Sequence, residues 1–116
     1  MAALRVISST DTLSHIALSG RLDIQGVQEV ELKLNSQTSA RRRPALIDLS
    51  GVEFIGSLGI GMLVSAARSL RVHGAGTVLL NPQGRVDDVL RGSSIDQIIP
   101  ISTSLDDAFR LLGITA

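Results

Sequence analysis

The chain has 116 residues, 44% of them hydrophobic, which suffices for one compact domain spanning residues 1–116 and leaves no room for a second. Eleven basic residues balance eleven acidic ones, so binding to nucleic acid or to anionic lipid is not expected. Because there is no cysteine, a thiolate metal site is not expected either. No apolar run reaches the roughly 18 residues of a membrane span, and the N-terminus does not resemble a signal peptide. Composition therefore predicts a cytoplasmic protein without membrane insertion.

The N-terminal segment predicts a β-hairpin. Residues 4–7 and 13–18 are rich in leucine and β-branched side chains, and the turn-forming cluster at 8–11 joins them. Gly20 is expected to end the second strand.

A helix is predicted next, from about residue 25 to 38. Asp23 precedes it and is a suitable N-cap, since a short side-chain carboxylate accepts hydrogen bonds from the free N–H groups of a helix start. The triple arginine at 41–43 fits a solvated turn after this helix. The apolar face of the helix carries Val27, Val30 and Leu34.

The second half predicts strands alternating with helices. A short apolar strand at 45–49 is expected at the centre of a sheet, and Ser104 is expected to cap the last helix. Further strands are predicted at 77–80 and 98–101, and helices at 57–72, around 86–90 and from 104 onward. This order is typical of an α/β domain whose later strands run parallel, giving a mixed sheet covered by about four helices.

The segment most informative about function is residues 51–61. It joins a predicted buried strand to a helix, and open α/β sheets usually have their functional sites at such junctions. It has the glycine spacing of a phosphate-binding loop but lacks that loop's lysine. The segment does not match the nucleophile motif of hydrolases, G-x-S-x-G, either, because Ile55 stands where the first glycine should be. His15 and His73 are the only candidate bases, and neither is expected near Ser57. No catalytic residue, metal site or cofactor is predicted, so the chain is not expected to be an enzyme.

Ser57 lies at the predicted start of the helix over 57–72. Its simplest role is to cap that helix. A serine at a helix start is also a suitable phosphorylation site, because the dipole partly accommodates the added charge of about −1.5 to −2. The cost of such a charge would then fall on a partner docked against this surface.

A helical-wheel count places Leu58 and Met62 away from the core, one turn apart and beside Ser57. An exposed apolar pair at this position indicates a contact patch, although burial by a neighbouring loop or self-association would also explain it. The predicted core face comprises Ile60, Leu63, Val64, Ala67 and Leu70.

Several segments together resemble the STAS domain family, the fold of bacterial anti-sigma-factor antagonists. Gly20-Arg21-Leu22-Asp23 resembles the family's G-x-L-D, and residues 54–60 resemble its signature F-[IM]-D-S-[ST]-G-L. The resemblance continues through residues 46–52, 81–82, 86–90 and 105–112.

The resemblance implies a function. Family antagonists bind an anti-sigma factor that is also a serine/threonine kinase with an ATP-binding fold, and so free the sigma factor. Phosphorylation of the signature serine, which is Ser57 here, ends the interaction, and a serine phosphatase restores it. The residues expected to bind the partner are Asp23, Gly56, Ser57, Leu58, Gly59 and Met62; for Asp23 this role is additional to capping.

Two positions depart from the family signature. Gly56 replaces its aspartate and Leu58 replaces its serine or threonine, which removes a carboxylate and adds an apolar side chain beside the acceptor serine. Because of these departures, a second hypothesis stays open, in which the chain is a STAS-type scaffold or accessory subunit of a lipid-transport or stress-signalling assembly. The glycines alone leave open a third hypothesis, in which the chain is a small nucleotide-binding or hydrolytic protein.

Overall fold

The structure, a computed structural model, describes residues 1–114 and is built around a five-stranded sheet. Three helices lie between successive strands and one closes the described chain. The elements in chain order are β1 (Ala3–Ser9), β2 (Ser14–Leu22), α1 (Ile24–Gln37), β3 (Ala45–Ile55), α2 (Ser57–Val72), β4 (Thr77–Leu80), α3 (Gly84–Gly92), a 3-10 turn (Ile95–Gln97), β5 (Ile101–Ser102) and α4 (Leu105–Leu111).

The strands lie in the order β1-β2-β3-β4-β5, so β3 is central, as predicted. β1 and β2 form the predicted antiparallel hairpin, and the remaining pairs are parallel. The α/β fold with a mixed sheet is therefore confirmed. Because β2, β3 and β4 run the same way, α1, α2 and α3 all begin at the edge of the sheet where these strands end.

The core lies on both faces of the sheet, because successive side chains of a strand point to opposite sides. Ile47 and Leu49 of β3 point to the side covered by α1, α2 and α3. Leu46 points to the other side, where Ala108 of α4 packs on it. On α1, the predicted face of Val27, Val30 and Leu34 is buried.

Three strands are longer than predicted. β1 spans Ala3–Ser9 and so includes part of the predicted turn cluster. β2 continues through Gly20, which has φ of +85°, and its register with β3 shifts after this residue. The strand thus continues through Gly20 with a local irregularity in its pairing instead of ending there. β3 continues past Gly51 to Ile55, so only Gly56 separates this strand from α2.

At the C-terminal end the last strand is shorter than predicted. The N–H groups of Ile98 and Ile99 both donate to Ile95 O at 2.8 Å, which holds them in a turn and leaves only Ile101–Ser102 to pair with β4. Ser104 caps α4 as predicted, accepting from Asp107 N at 3.3 Å. Within residues 1–114, no helix is both long enough and apolar enough to cross a membrane.

Candidate functional site

The starts of α1 and α2 meet at the edge where β2 and β3 end. Leu22 and Ile55 are partners in the parallel ladder, and Gly56 N donates to Leu22 O at 3.1 Å. Asp23 and Ser57 directly follow these strand ends. The sequence predicted both residues as site members, and the fold brings them to one surface.

Asp23 is the N-cap of α1, as predicted. Its backbone is extended and its carboxylate accepts from Gly26 N at 2.8 Å. This hydrogen bond is the main reason why the pKa of the Asp23 carboxyl lies below its ordinary value, and Arg21 lowers it further. The Arg21 Nε atom lies 3.5 Å from Asp23 Oδ2.

The cap makes stability depend on pH in a defined direction. Because folding lowers the pKa of Asp23, its stabilising effect is present above the ordinary value of 3.8 and is lost as pH falls through the folded pKa. We expect Asp23→Asn, which still caps but does not titrate, to unfold at lower urea than the wild type at pH 7. At pH 3 the urea midpoints of Asp23→Asn and the wild type should lie closer together than at pH 7. Urea titrations followed by circular dichroism at both pH values test this, and a difference that stays constant with pH would contradict it.

Ser57 is exposed and is the first helical residue of α2, so the prediction that it caps the helix was wrong. The cap position belongs to Gly56, which has no side chain, and α2 has no side-chain cap hydrogen bond. The reason is the length of β3, which leaves a single residue between strand and helix. The Ser57 hydroxyl is therefore not engaged in capping the helix.

An apolar pair flanks Ser57. Leu58 is 53% exposed, as predicted, and Ile24 at the start of α1 is 66% exposed. Together with Asp23 and Ser57 they border one shallow depression at the helix starts. We call these four residues, Asp23, Ile24, Ser57 and Leu58, the Ser57 face.

Met62, predicted to be exposed, is only 4% exposed. It lines the groove between α1 and α2 together with Val27, and it belongs to the main core cluster. α2 packs against α1 as well as the sheet, which turns Met62 inward and leaves Ile60 and Val64 only half-buried. Met62 can therefore reach a partner only from the floor of this groove.

Gly59 is buried, so its contribution is to packing. A Cβ atom there would lie 2.8 Å from Leu22 O and 2.9 Å from Ile55 Cγ1, closer than side chains tolerate. The absence of a side chain lets α2 approach the ends of β2 and β3, which sets the position of Ser57.

Sequence reasoning missed a contact between Arg21 and Phe54. These residues are partners in the β2–β3 ladder, and the guanidinium carbon of Arg21 lies 4.4 Å from the centroid of the Phe54 ring, a cation–π geometry. Arg21 thus places a positive charge beside the Ser57 face. Arg21 lies in the segment that resembles G-x-L-D, and Phe54 lies in the segment that resembles the family signature. The sequence therefore pointed to both residues, but their contact follows only from the register of β2 and β3.

Neither histidine lies near Ser57. His15 is at the opposite end of β2, beside Leu46, where burial lowers its pKa against the opposing effect of Asp48. His73 follows the last residue of α2. The structure thus places no histidine where it could act as a base toward the Ser57 hydroxyl.

Comparison with known proteins assigns a family to this arrangement. The model of the family described as STAS domain matches residues 5–108. The anti-sigma F factor antagonist of Lysinibacillus sphaericus is 27% identical over 100 residues, which is 85% of this chain and 86% of that protein. An anti-sigma factor antagonist from Mycobacterium paratuberculosis superposes with a TM-score of 0.84 at 25% identity, covering 97% of this chain and 95% of the other.

The antagonist SpoIIAA shares the fold in two states. Its unphosphorylated form gives a TM-score of 0.76 at 24% identity, covering 98% of this chain and 100% of SpoIIAA. The phosphorylated form, described as a Bacillus cell fate determinant, gives 0.68 at 22% identity, covering 94% and 99%.

Proposed function

This chain belongs to the STAS domain family, and on that basis we propose that it is a regulator of the anti-sigma-factor-antagonist type, which acts by binding an anti-sigma factor. Two relatives that span most of the chain are named as such antagonists. The observation that carries the proposal is the Ser57 face, where an exposed serine lies between two exposed apolar side chains.

The Ser57 face has the composition of a binding surface. Ile24 and Leu58 supply exposed apolar area, and the Asp23 carboxylate with the Arg21 guanidinium beside it supplies charged groups. Large apolar side chains that a fold leaves exposed together are typical of contact sites. The buried residues Gly59 and Met62 hold this surface in place from beneath.

We propose further that phosphorylation of Ser57 turns the binding off. The N-terminus of α2 accommodates a phosphoryl group in the free protein, because unpaired N–H groups and the helix dipole favour negative charge there. In the complex the same charge would need desolvation beside Ile24 and Leu58, next to the carboxylate of Asp23. The modifying enzyme is then the partner itself, an anti-sigma factor that is also a serine/threonine kinase with an ATP-binding fold, and a serine phosphatase reverses the modification.

Mass spectrometry of the intact chain, purified from its own host and then incubated with host lysate and ATP, tests the switch. We expect one phosphate, mapped to the peptide that contains Ser57, and none on a Ser57→Ala chain treated in the same way. A wild-type chain that stays unmodified would contradict the phosphorylation step.

A scaffold or accessory role is the second candidate, and Leu58 is the observation that favours it. An apolar side chain, 53% exposed, stands where the family signature has a hydroxyl, which suits a permanent contact better than a reversible one. Co-purification distinguishes the two functions. A serine kinase should accompany an antagonist, whereas a transporter-type ATPase should accompany an accessory subunit.

A further inference from the structure

The Arg21 side chain contacts two walls of the depression in which Ser57 lies. Its guanidinium carbon is 4.4 Å from the centroid of the Phe54 ring, and its Nε atom is 3.5 Å from Asp23 Oδ2. Asp23 and Phe54 line that depression together with Ser57. The guanidinium therefore lies beside the depression and is held there by two of its lining residues.

The Phe54 ring connects Arg21 to the start of α2. A Cβ atom at Gly56, the residue directly before Ser57, would lie 3.4 Å from Cε2 of Phe54. The ring is thus within contact distance of the backbone at which α2 begins. Because the guanidinium lies against this ring, only the ring separates Arg21 from the residue that precedes Ser57.

The ion pair between Arg21 and Asp23 leaves the guanidinium free to change partner. The separation of 3.5 Å is longer than the roughly 2.7–2.9 Å of a charge-assisted hydrogen bond, and the two side chains are 53% and 40% exposed. Exposed pairs of this kind contribute little to stability. Asp23 is held by its hydrogen bond from Gly26 N, so Arg21 can leave it without loss of the α1 cap.

We propose that Arg21 pairs with the phosphate of phosphorylated Ser57 in the free protein, an inference that rests on the proposed phosphorylation. The phosphate carries a charge of about −1.5 to −2, and the Asp23 carboxylate in the same depression repels it. The N–H donors of a guanidinium match phosphate oxygens in pairs. The first turn of α2, residues 57–60, contains no acidic residue that would compete for Arg21.

This pairing gives Arg21 a regulatory role. In the unphosphorylated protein the guanidinium is half-exposed beside the Ser57 face and is available to a bound anti-sigma factor. In the phosphorylated protein the phosphate holds the same guanidinium. Phosphorylation thus adds negative charge to the binding surface and also withdraws a positive charge from it.

Phosphorus NMR of a chain with phosphoserine at position 57 tests the pairing. Genetic code expansion introduces this phosphoserine without a kinase, so the test does not depend on whether the host modifies Ser57. The second pKa of a phosphoserine is ordinarily about 6, and a guanidinium in contact lowers it because it favours the dianion. We expect Arg21→Gln to raise this pKa by about one pH unit. Arg21→Lys, which keeps the charge but not the paired donors, should raise it by less.

Arg85→Gln is the matched control. Arg85 is exposed near the start of α3, at the same end of the sheet, but it lines a different cavity, between β3 and α3. This variant should leave the phosphate pKa nearly unchanged. A pKa that does not change in Arg21→Gln, or that changes equally in Arg21→Gln and Arg85→Gln, would overturn the pairing. Either result is distinct from failure of the switch, which partner binding by Ser57→Asp measures separately.

Discussion

Ser57→Asp should weaken binding of the cognate anti-sigma factor by roughly 100-fold, whereas Ser57→Ala should leave the affinity within about twofold. The aspartate places a negative charge next to Ile24, Leu58 and the carboxylate of Asp23, where complex formation removes water. The alanine removes only a hydroxyl that is not engaged in capping α2. A hundredfold loss corresponds to about 2.7 kcal/mol, within the range for a buried unpaired charge at an interface.

Calorimetry with the partner co-purified from the host measures these affinities. Ser36→Asp introduces the same charge at an exposed position in the last turn of α1, away from the Ser57 face, and should have little effect. If Ser57→Asp and Ser57→Ala bound equally well, Ser57 would have no switching role and the scaffold function would be favoured.

Gly59→Ala should lower the free energy of unfolding by about 3 kcal/mol, because the new Cβ atom has no room. Its neighbours would include Leu22 O at 2.8 Å, a backbone atom that already accepts the Gly56 N–H. The carbonyl cannot move away without breaking that hydrogen bond, so α2 must shift instead. The same shift would displace Ser57 and Leu58, and partner binding should weaken with stability.

Gly61→Ala is the matched control, on the same helix and two residues away. A Cβ atom at Gly61 meets nothing within 4 Å. Alanine there should therefore raise the free energy of unfolding by about 1 kcal/mol, the usual gain for glycine to alanine inside a helix. Urea denaturation measures both variants, and equal effects would show that α2 does not need the close approach at Gly59.

Local patterns in the sequence were enough to predict most elements and part of the site. The helix at 57–72 was predicted with the bounds that the structure has, because it is limited by Gly56 before it and by His73 and Gly74 after it. Asp23 was recognised as a cap because capping depends on groups within three residues along the chain. Alternation of strands and helices then brings Asp23 and Ser57 to one edge.

Contacts between distant segments decided the rest. Met62 is buried because α2 packs against α1, and a helical wheel of one helix does not contain that neighbour. The pairing of Arg21 with Phe54 depends on the register of two strands separated by a whole helix.

Strand ends were likewise set by pairing and not by local residue type. Gly20 and Gly51 discourage a strand locally, yet both lie in β strands because the β2–β3 ladder continues past them, with Gly20 paired to Val52 and Ser19 paired to Gly51. The sequence by itself thus determined the element order, the cap at Asp23 and the place of Ser57 at a helix start. Only the tertiary structure decided which side chains around Ser57 remain exposed, because exposure depends on what packs against each helix.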